Sequence, residues 1–356
     1  MMWAVWRQNR RSLIATLTLI VLLTAVTVAA AVVVEQNDST WTFGQICSRW
    51  NDVGRCRPET ALTLTTLFAL LLPLALGLFV GVTAFSRDIE QRTHVLGMTQ
   101  SVSRLHWYFA RVVVVFVPIT AAMVCLGLSL RWATTAGGNA RAFAEDGAMT
   151  GIAFSLYDFP YFETTGITIG GYTLLAMLVG GTAAIFLRST VGAMVTTVVV
   201  FLFVPVALTL IVREDYGDPQ IEVEPISGYA RATEYAPNPY FTTDGTWVVA
   251  AGYVDSDGAR IIPDDSRCAT VAESDDSARR PDETDDEYTE RRQIRQEATY
   301  ATYDTCLRNQ GVDRYEIAFH TEDDYWRFQV TETGLMLLLS GTASLAGMWG
   351  IRRLGA

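Results

Sequence analysis

The residues able to do chemistry in this chain are few and far apart. Its histidines are His94, His106 and His320, and its cysteines are Cys47, Cys56, Cys125, Cys268 and Cys306. All 27 basic residues are arginine. Without lysine there is no P-loop amine to reach a triphosphate, no Schiff base and no Ser–Lys dyad. No Gly-x-Ser-x-Gly elbow and no His-Glu-x-x-His pair occurs, so the usual signatures of serine acyl transfer and zinc hydrolysis are missing. Asp255-Ser256-Asp257-Gly258 is similar to a fragment of a calcium loop, but the downstream glutamate and the remaining ligand spacing are not there. A reverse turn is the better reading. The chain is therefore expected to have no catalytic residue, metal or cofactor of its own, and any ATP it uses must bind to a partner.

The elements around these residues are apolar. Of 356 residues half are hydrophobic and only 18% are charged, whereas globular domains carry about 25% charged residues. A helix needs about 20 apolar residues to cross a bilayer. Six stretches qualify: 13–34, 61–85, 107–130, 167–187, 190–212 and 333–351. Five have no charge at all, and the third has only Arg111, one turn from its start, where snorkelling to the headgroups is expected. The first stretch also carries Ala29 and Ala31 in a cleavage-like pattern. Its run is longer than the ~7–15 residues of a signal core, so a span is preferred.

Charge sets the orientation. With the N-terminus inside, the inner segments hold ten arginines against Asp88 and Glu90, a net of +8, while everything outside sums to −19. This follows the positive-inside rule and places both termini in the cytoplasm of a multi-pass plasma-membrane protein. The histidines then fall on two sides of the membrane and cannot share one metal. Cys47 and Cys56 lie in the outer loop 35–60, and Cys268 and Cys306 in the outer segment 213–332. Two local disulfides suit an oxidising compartment, with four free thiols as the alternative.

Between the spans, residues 1–12 carry Trp3, Trp6, Arg7 and Arg10 on one helical arc, an interfacial stripe or a simple cap on the first span. Residues 86–106 form the only sizeable inner loop, broken near Gly97, with Ser103 poised to cap the third span. In the outer loop 131–166, residues 142–161 are rich in Phe and Tyr and either meet the outer leaflet or pack on the span ends. Residues 167–212 read as a tight hairpin turning at Arg188-Ser189-Thr190, with small residues for close helix packing. Pro73, Pro118 and Pro205 imply kinks. The segment 213–332 holds 28 acidic residues and 12 arginines. It reads as a small mixed α+β domain, with a hairpin over 246–262, an acidic linker over 273–287 and a helix over 289–307. No carboxylate falls within any of the six stretches, which disfavours an ion-coupled carrier.

Several segments resemble actinobacterial ABC-2-type permeases. Trp3-Ala4-Val5-Trp6-Arg7-Gln8-Asn9-Arg10 is similar to that family's Trp-x-x-Trp-Arg-Gln-x-Arg opening. Arg87 to His94, then Thr99 to Trp107, resemble its acidic-Thr-His and Thr-Gln-Ser-Val-Thr-Arg-x-x-Trp signature. Tyr325 to Thr333 resembles its Phe-Trp-x-Phe-Gln-x-x-Glu-Thr run, and Arg352-Arg353 its basic tail. Asp88 stands where Glu is usual and Arg92 where Gly is usual, and the acidic insert 273–287 has no counterpart. The resemblance implies an all-α polytopic membrane protein of six transmembrane helices, ABC-2 or type V exporter-like, with the extracellular domain between helices 5 and 6 and helix 6 with its tail at 333–356. It implies a permease subunit, not an enzyme, that pairs with a second permease, identical or homologous, and docks two ABC-type ATP-binding subunits carrying ATP and Mg. Membrane lipids, and no nucleic acid, complete its surroundings. Residues 86–106 would be the ATPase-coupling loop, using Arg87, Asp88, Glu90, Arg92 and Thr93, with Gln100, Ser101 and Arg104 positioning it. The cargo would be hydrophobic or amphipathic and would move outward past the first, second and fifth spans. The alternative is an ATPase-driven mechanotransmitting or regulatory membrane protein that moves no cargo; a receptor or envelope scaffold without an ATPase is a third reading.

Overall fold

A computed structural model describes residues 2–36, 57–90, 103–136, 155–224, 247–264, 266–268 and 284–353. The chain divides into two compact units, Met1–Gly217 with Glu322–Ala356, and Asp218–Thr321. The smaller unit thus begins and ends inside the expected 213–332. Arg213 and Glu332 belong to the helical unit, because both side chains are buried there.

Among the described residues six helices are long and apolar enough to span a membrane. Span 1 is α1 (Met2–Gln36), unbroken, so residues 2–12 of the expected N-terminal segment 1–12 are the start of the same helix. Span 2 joins α2 (Arg57–Leu76), a π-helical stretch Gly77–Val82 and α3 (Thr83–Glu90). Span 3 joins α4 (Arg104–Arg111), π-helical Val112–Phe116 and α5 (Val117–Ala136). A short α6 (Tyr161–Thr164) precedes span 4, α7 (Thr168–Leu187). Span 5 is α8 (Thr190–Ala207), continued by π-helical Leu208–Val212 and a 3₁₀ turn, Arg213–Tyr216. The smaller unit supplies α9 (Asp285–Asn309), and span 6 is α10 (Tyr325–Arg353). Span 6 starts eight residues before the expected Thr333, which places Glu332 inside a spanning helix. That corrects the expectation of carboxylate-free spans.

Each mid-span proline sits close to a π-helical stretch: Pro73 before Gly77–Val82, Pro118 after Val112–Phe116, Pro205 before Leu208–Val212. Proline lacks an N–H and crowds the carbonyl one turn earlier. Such local departures from α geometry are tolerated in a spanning helix where the backbone groups stay hydrogen-bonded.

Span 4 is the hub. Of its apolar window 78% is buried, against 6% for span 5. Its glycines let neighbours reach its backbone. A Cβ on Gly180 would lie 2.6 Å from the Gly77 carbonyl oxygen, and one on Gly81 would lie 2.5 Å from that of Met177. Spans 2 and 4 therefore touch backbone to backbone. Leu13, Ile20, Leu72, Ile119, Met123 and Met177 are among the residues of the main buried cluster, which draws mostly on spans 1 to 4 and includes Ala193 of span 5 and Ile351 of span 6. Tyr157, Tyr161 and Phe162 of the 155–166 segment are also buried, so this part of the aromatic loop packs on helix ends.

The smaller unit has an antiparallel sheet, order β1-β4-β2-β3, with β1 (Gln220–Glu224), β2 (Trp247–Val254), β3 (Arg260–Ile261) and β4 (Arg314–His320). The β2–β3 turn is closed by Asp255 Oδ1, which accepts from the N–H groups of Asp257 and Ala259, with Gly258 at φ +81°. Helix α9 begins in a capping box, Thr284 with Glu287. Residues 284–287, expected in the acidic linker, are thus its N-terminus. The Cys268 and Cys306 sulfurs stand 2.06 Å apart beside Leu307 and Val312. Cys47 and Cys56 lie outside the described residues.

Candidate functional site

The helical unit has two ends. The near end carries the start of α1, the end of α3, the start of α4, the α7–α8 turn and the end of α10. In α3, Phe85, Ser86 and Ile89 are buried, which leaves Arg87 and Glu90 exposed and Asp88 at the edge. Asp88 pairs with Arg111 of α4, and Gln8 of α1 reaches Asp88 at 3.5 Å. Arg111 also donates to the Ala84 carbonyl and lies over the Trp107 ring at 4.1 Å and the Phe85 ring at 5.6 Å. At 4% exposure it does not snorkel. A carboxylate, a carbonyl and two aromatic faces offset its desolvation, which corrects the expectation from its position one turn inside the span.

Glu90 crosses to span 5. Its Oε1 accepts from the Thr190 N–H at 2.8 Å and the Thr190 hydroxyl at 2.7 Å. It thereby places a carboxylate on the N-terminus of α8, where the helix dipole is positive. Ser189 caps the same helix through the Gly192 N–H, and Arg188, at φ +52°, closes α7 in the left-handed region. Arg104 crosses to span 6, donating to the Arg352 carbonyl at 3.0 Å, the charge that suits a helix C-terminus. Sequence reasoning gave Arg104 the task of positioning the inner loop; it opens α4 of the third span, and its side chain reaches the last. Ser103 caps α4 through the His106 N–H. Arg92, Thr93, Gln100 and Ser101 lie outside the described residues. Trp3, Trp6, Arg7 and Arg10 are exposed along the start of α1, with Arg7 over the Trp3 ring at 5.4 Å.

The far end holds a cluster that the sequence reading missed. Arg213, fully buried, donates through Nε to Glu332 Oε2 at 3.1 Å and through Nη2 to Glu332 Oε1 at 3.0 Å. Its Nη2 also reaches Glu163 Oε1 at 2.7 Å, and Nη1 reaches the Tyr157 carbonyl at 3.2 Å. The Phe162 ring lies 4.0 Å from the guanidinium, and Tyr172 of α7 donates to Glu332 Oε1. One turn away Gln329 caps α7: its Oε1 accepts from the N–H groups of Ile167 and Thr168, both at 3.0 Å, and its Nε2 donates to the Phe162 carbonyl at 3.1 Å. Gly166, at φ +70°, lies so close that a Cβ would sit 2.5 Å from Gln329 Oε1. The signal was present: Tyr325, Phe328, Gln329, Glu332 and Met336 recur at helical spacing and form one buried stripe.

The fold and these two ends define a polytopic helical membrane protein with a small α+β unit before its last span. Residues 11–213 match the family described as ABC-2 membrane transporter related. The match covers more than half of the chain, and the chain belongs to that family. It spans the first five spanning helices and ends at Arg213, leaving the smaller unit and span 6 outside it. No curated protein and no solved structure matches the chain significantly.

Proposed function

We propose that the chain is the permease subunit of an ABC-2-type exporter, driven by two separate ABC-type ATP-binding subunits and paired with a second permease, identical or homologous. The near end is cytoplasmic in this reading, as its arginine excess requires. The far end faces an oxidising compartment, where Cys268 and Cys306 are joined.

One observation carries the reading: both limbs of the inner loop are tied to other spans. Asp88 links α3 to α4, Glu90 links α3 to α8, and Arg104 links α4 to α10. A push on the loop by closing ATPases therefore reaches spans 2, 3, 5 and 6 as a rigid-body shift. Arg87 remains exposed to meet the partner. Span 5 presents Val191, Val195, Val199, Phe203, Val206 and Leu210 outward, a continuous apolar face for the second permease and for a hydrophobic or amphipathic cargo between the two.

The test is a detergent pull-down of the tagged chain with its ATPase, read by mass spectrometry and stimulated hydrolysis. Reversing the charges of Asp88 and Glu90 is expected to uncouple hydrolysis while leaving membrane insertion intact. A chain that returns without an ATPase, under conditions that keep other ABC complexes whole, removes the transporter reading. Unchanged stimulated hydrolysis in the double variant removes only the coupling assignment.

A further inference from the structure

The far-end cluster holds one guanidinium between two carboxylates, all buried, so with both acids ionised it carries a net negative charge. The two acids are not equivalent. Both oxygens of Glu332 accept hydrogen bonds from Arg213, and one accepts a further bond from Tyr172. Glu163, 6% exposed, has only Oε1 engaged, by Arg213 and by the Thr209 hydroxyl at 3.4 Å. Its Oε2 is buried with no hydrogen-bond partner. An unpaired carboxylate oxygen in a dry site is costly, and a neutral carboxyl far less so.

We propose that Glu163 is a proton-binding site: in this packing it holds a proton on Oε2, and releasing that proton loosens the 155–166 segment from Arg213. On release the Oε2–H bond breaks, the proton passes to water at the far end, and the electron pair stays on the carboxylate. The site then holds two full carboxylates on one guanidinium, and a second negative charge is left in a water-poor environment.

Every element packed around Glu163 contributes a group. Arg213 comes from the 3₁₀ turn that ends span 5, and Glu332 and Tyr325 come from α10. Tyr172 comes from α7, Tyr157 and Asp158 precede α6, and Tyr216 follows Arg213. Arg131 of α5 lies over the Tyr325 ring at 4.8 Å, and Glu59 stands in the first turn of α2, the helix packed on α6. Among the described residues, Arg213 and the Thr209 hydroxyl donate to the Glu163 carboxyl from other elements. Burial pushes Glu163 above its ordinary value of 4.5, against the pull of Arg213. Asp158 is raised by burial too, but its Oδ2 accepts from the Ser155 N–H.

The sign follows. The folded chain binds the proton more tightly than the unfolded one, so this contribution to stability is full below 4.5 and is lost as pH rises through the raised folded value. The test uses the full chain in detergent from about pH 5 to about pH 9, a range that brackets a raised carboxyl. Infrared spectra at neutral pH are expected to show a protonated-carboxyl C=O band that Glu163→Gln removes. The melting temperature of the wild type is expected to fall with pH where that of Glu163→Gln stays level. Thr209→Val is expected to move the band and Tyr172→Phe to leave it in place; where Glu163→Gln fails to insert, this pair carries the test. A band that moves with Tyr172→Phe puts the proton on Glu332 and overturns the assignment. So does a wild type without the band, or parallel pH profiles for wild type and variant. A sodium-dependent rise in melting temperature at fixed pH that Glu163→Gln abolishes puts a metal ion there and overturns it as well.

Discussion

The two ends of the helical unit use the same chemistry in opposite settings. At the near end, Glu90 and Arg104 are ionic caps at the rim, each reaching one backbone group or turn of another span. At the far end, Arg213 sits at 0% exposure and satisfies four acceptor atoms on three residues, with Glu332 also at 0%. Rim contacts in high dielectric contribute little to stability and break easily, so they suit parts that must move. Buried ones are costly to leave half-made, so they hold an arrangement until a specific event undoes it. Arg111 lies between the two settings, buried itself but paired with an Asp88 whose side chain is 17% exposed.

This contrast can be broken or sharpened by substitution. The largest effect is expected at Arg213. Arg213→Met strands the buried Glu332 carboxylate and removes the partner of the Glu163 carboxyl, and a loss of about 3–5 kcal/mol is expected on breaking such a cluster. Thermal unfolding in detergent checks it; a loss under about 1 kcal/mol would mean the cluster is solvated like a surface pair. Gln329→Leu comes next. It keeps the volume but leaves the Ile167 and Thr168 N–H groups and the Phe162 carbonyl without their partner, at about 1–3 kcal/mol for each group that stays dry. Proteolysis within 155–166 should rise in that variant, and an unchanged cleavage rate would show that Gln329 does not hold this turn. The smallest effect on melting is expected for Glu90→Ala at the exposed rim, and added salt should erase it. That same variant should still lower ATPase stimulation in the complex. If it instead melts like Arg213→Met, the two ends do not differ as argued.

Much of this was legible in the chain. Six apolar runs, the Arg188-Ser189-Thr190 turn, the Ser103 cap and the Asp255–Gly258 hairpin turn follow from length, polarity and local backbone preference. Other features were visible but misjudged. Glu332 was read as the edge of the outer segment because a charge ends a hydropathy window, yet at Tyr325–Met336 the helical stripe continues through it. Arg111 was read as a snorkelling side chain because depth alone says nothing of what lies beside it. Asp88 is 23 residues earlier in sequence, on another helix.

The sequence by itself determined that this is a six-span membrane protein, which ends carry the arginine, and that the chain brings no lysine, zinc motif or serine elbow of its own. Those are local or additive properties, set by transfer free energy summed over about 20 residues and by short motifs. Only the tertiary structure decided that Glu163, Arg213 and Glu332, up to 169 positions apart, share one dry site, and that Glu90 and Arg104 cap spans 5 and 6. Burial and charge pairing depend on which helices pack together. In this chain that follows from close backbone contacts such as those at Gly81 and Gly180, which hydropathy does not record.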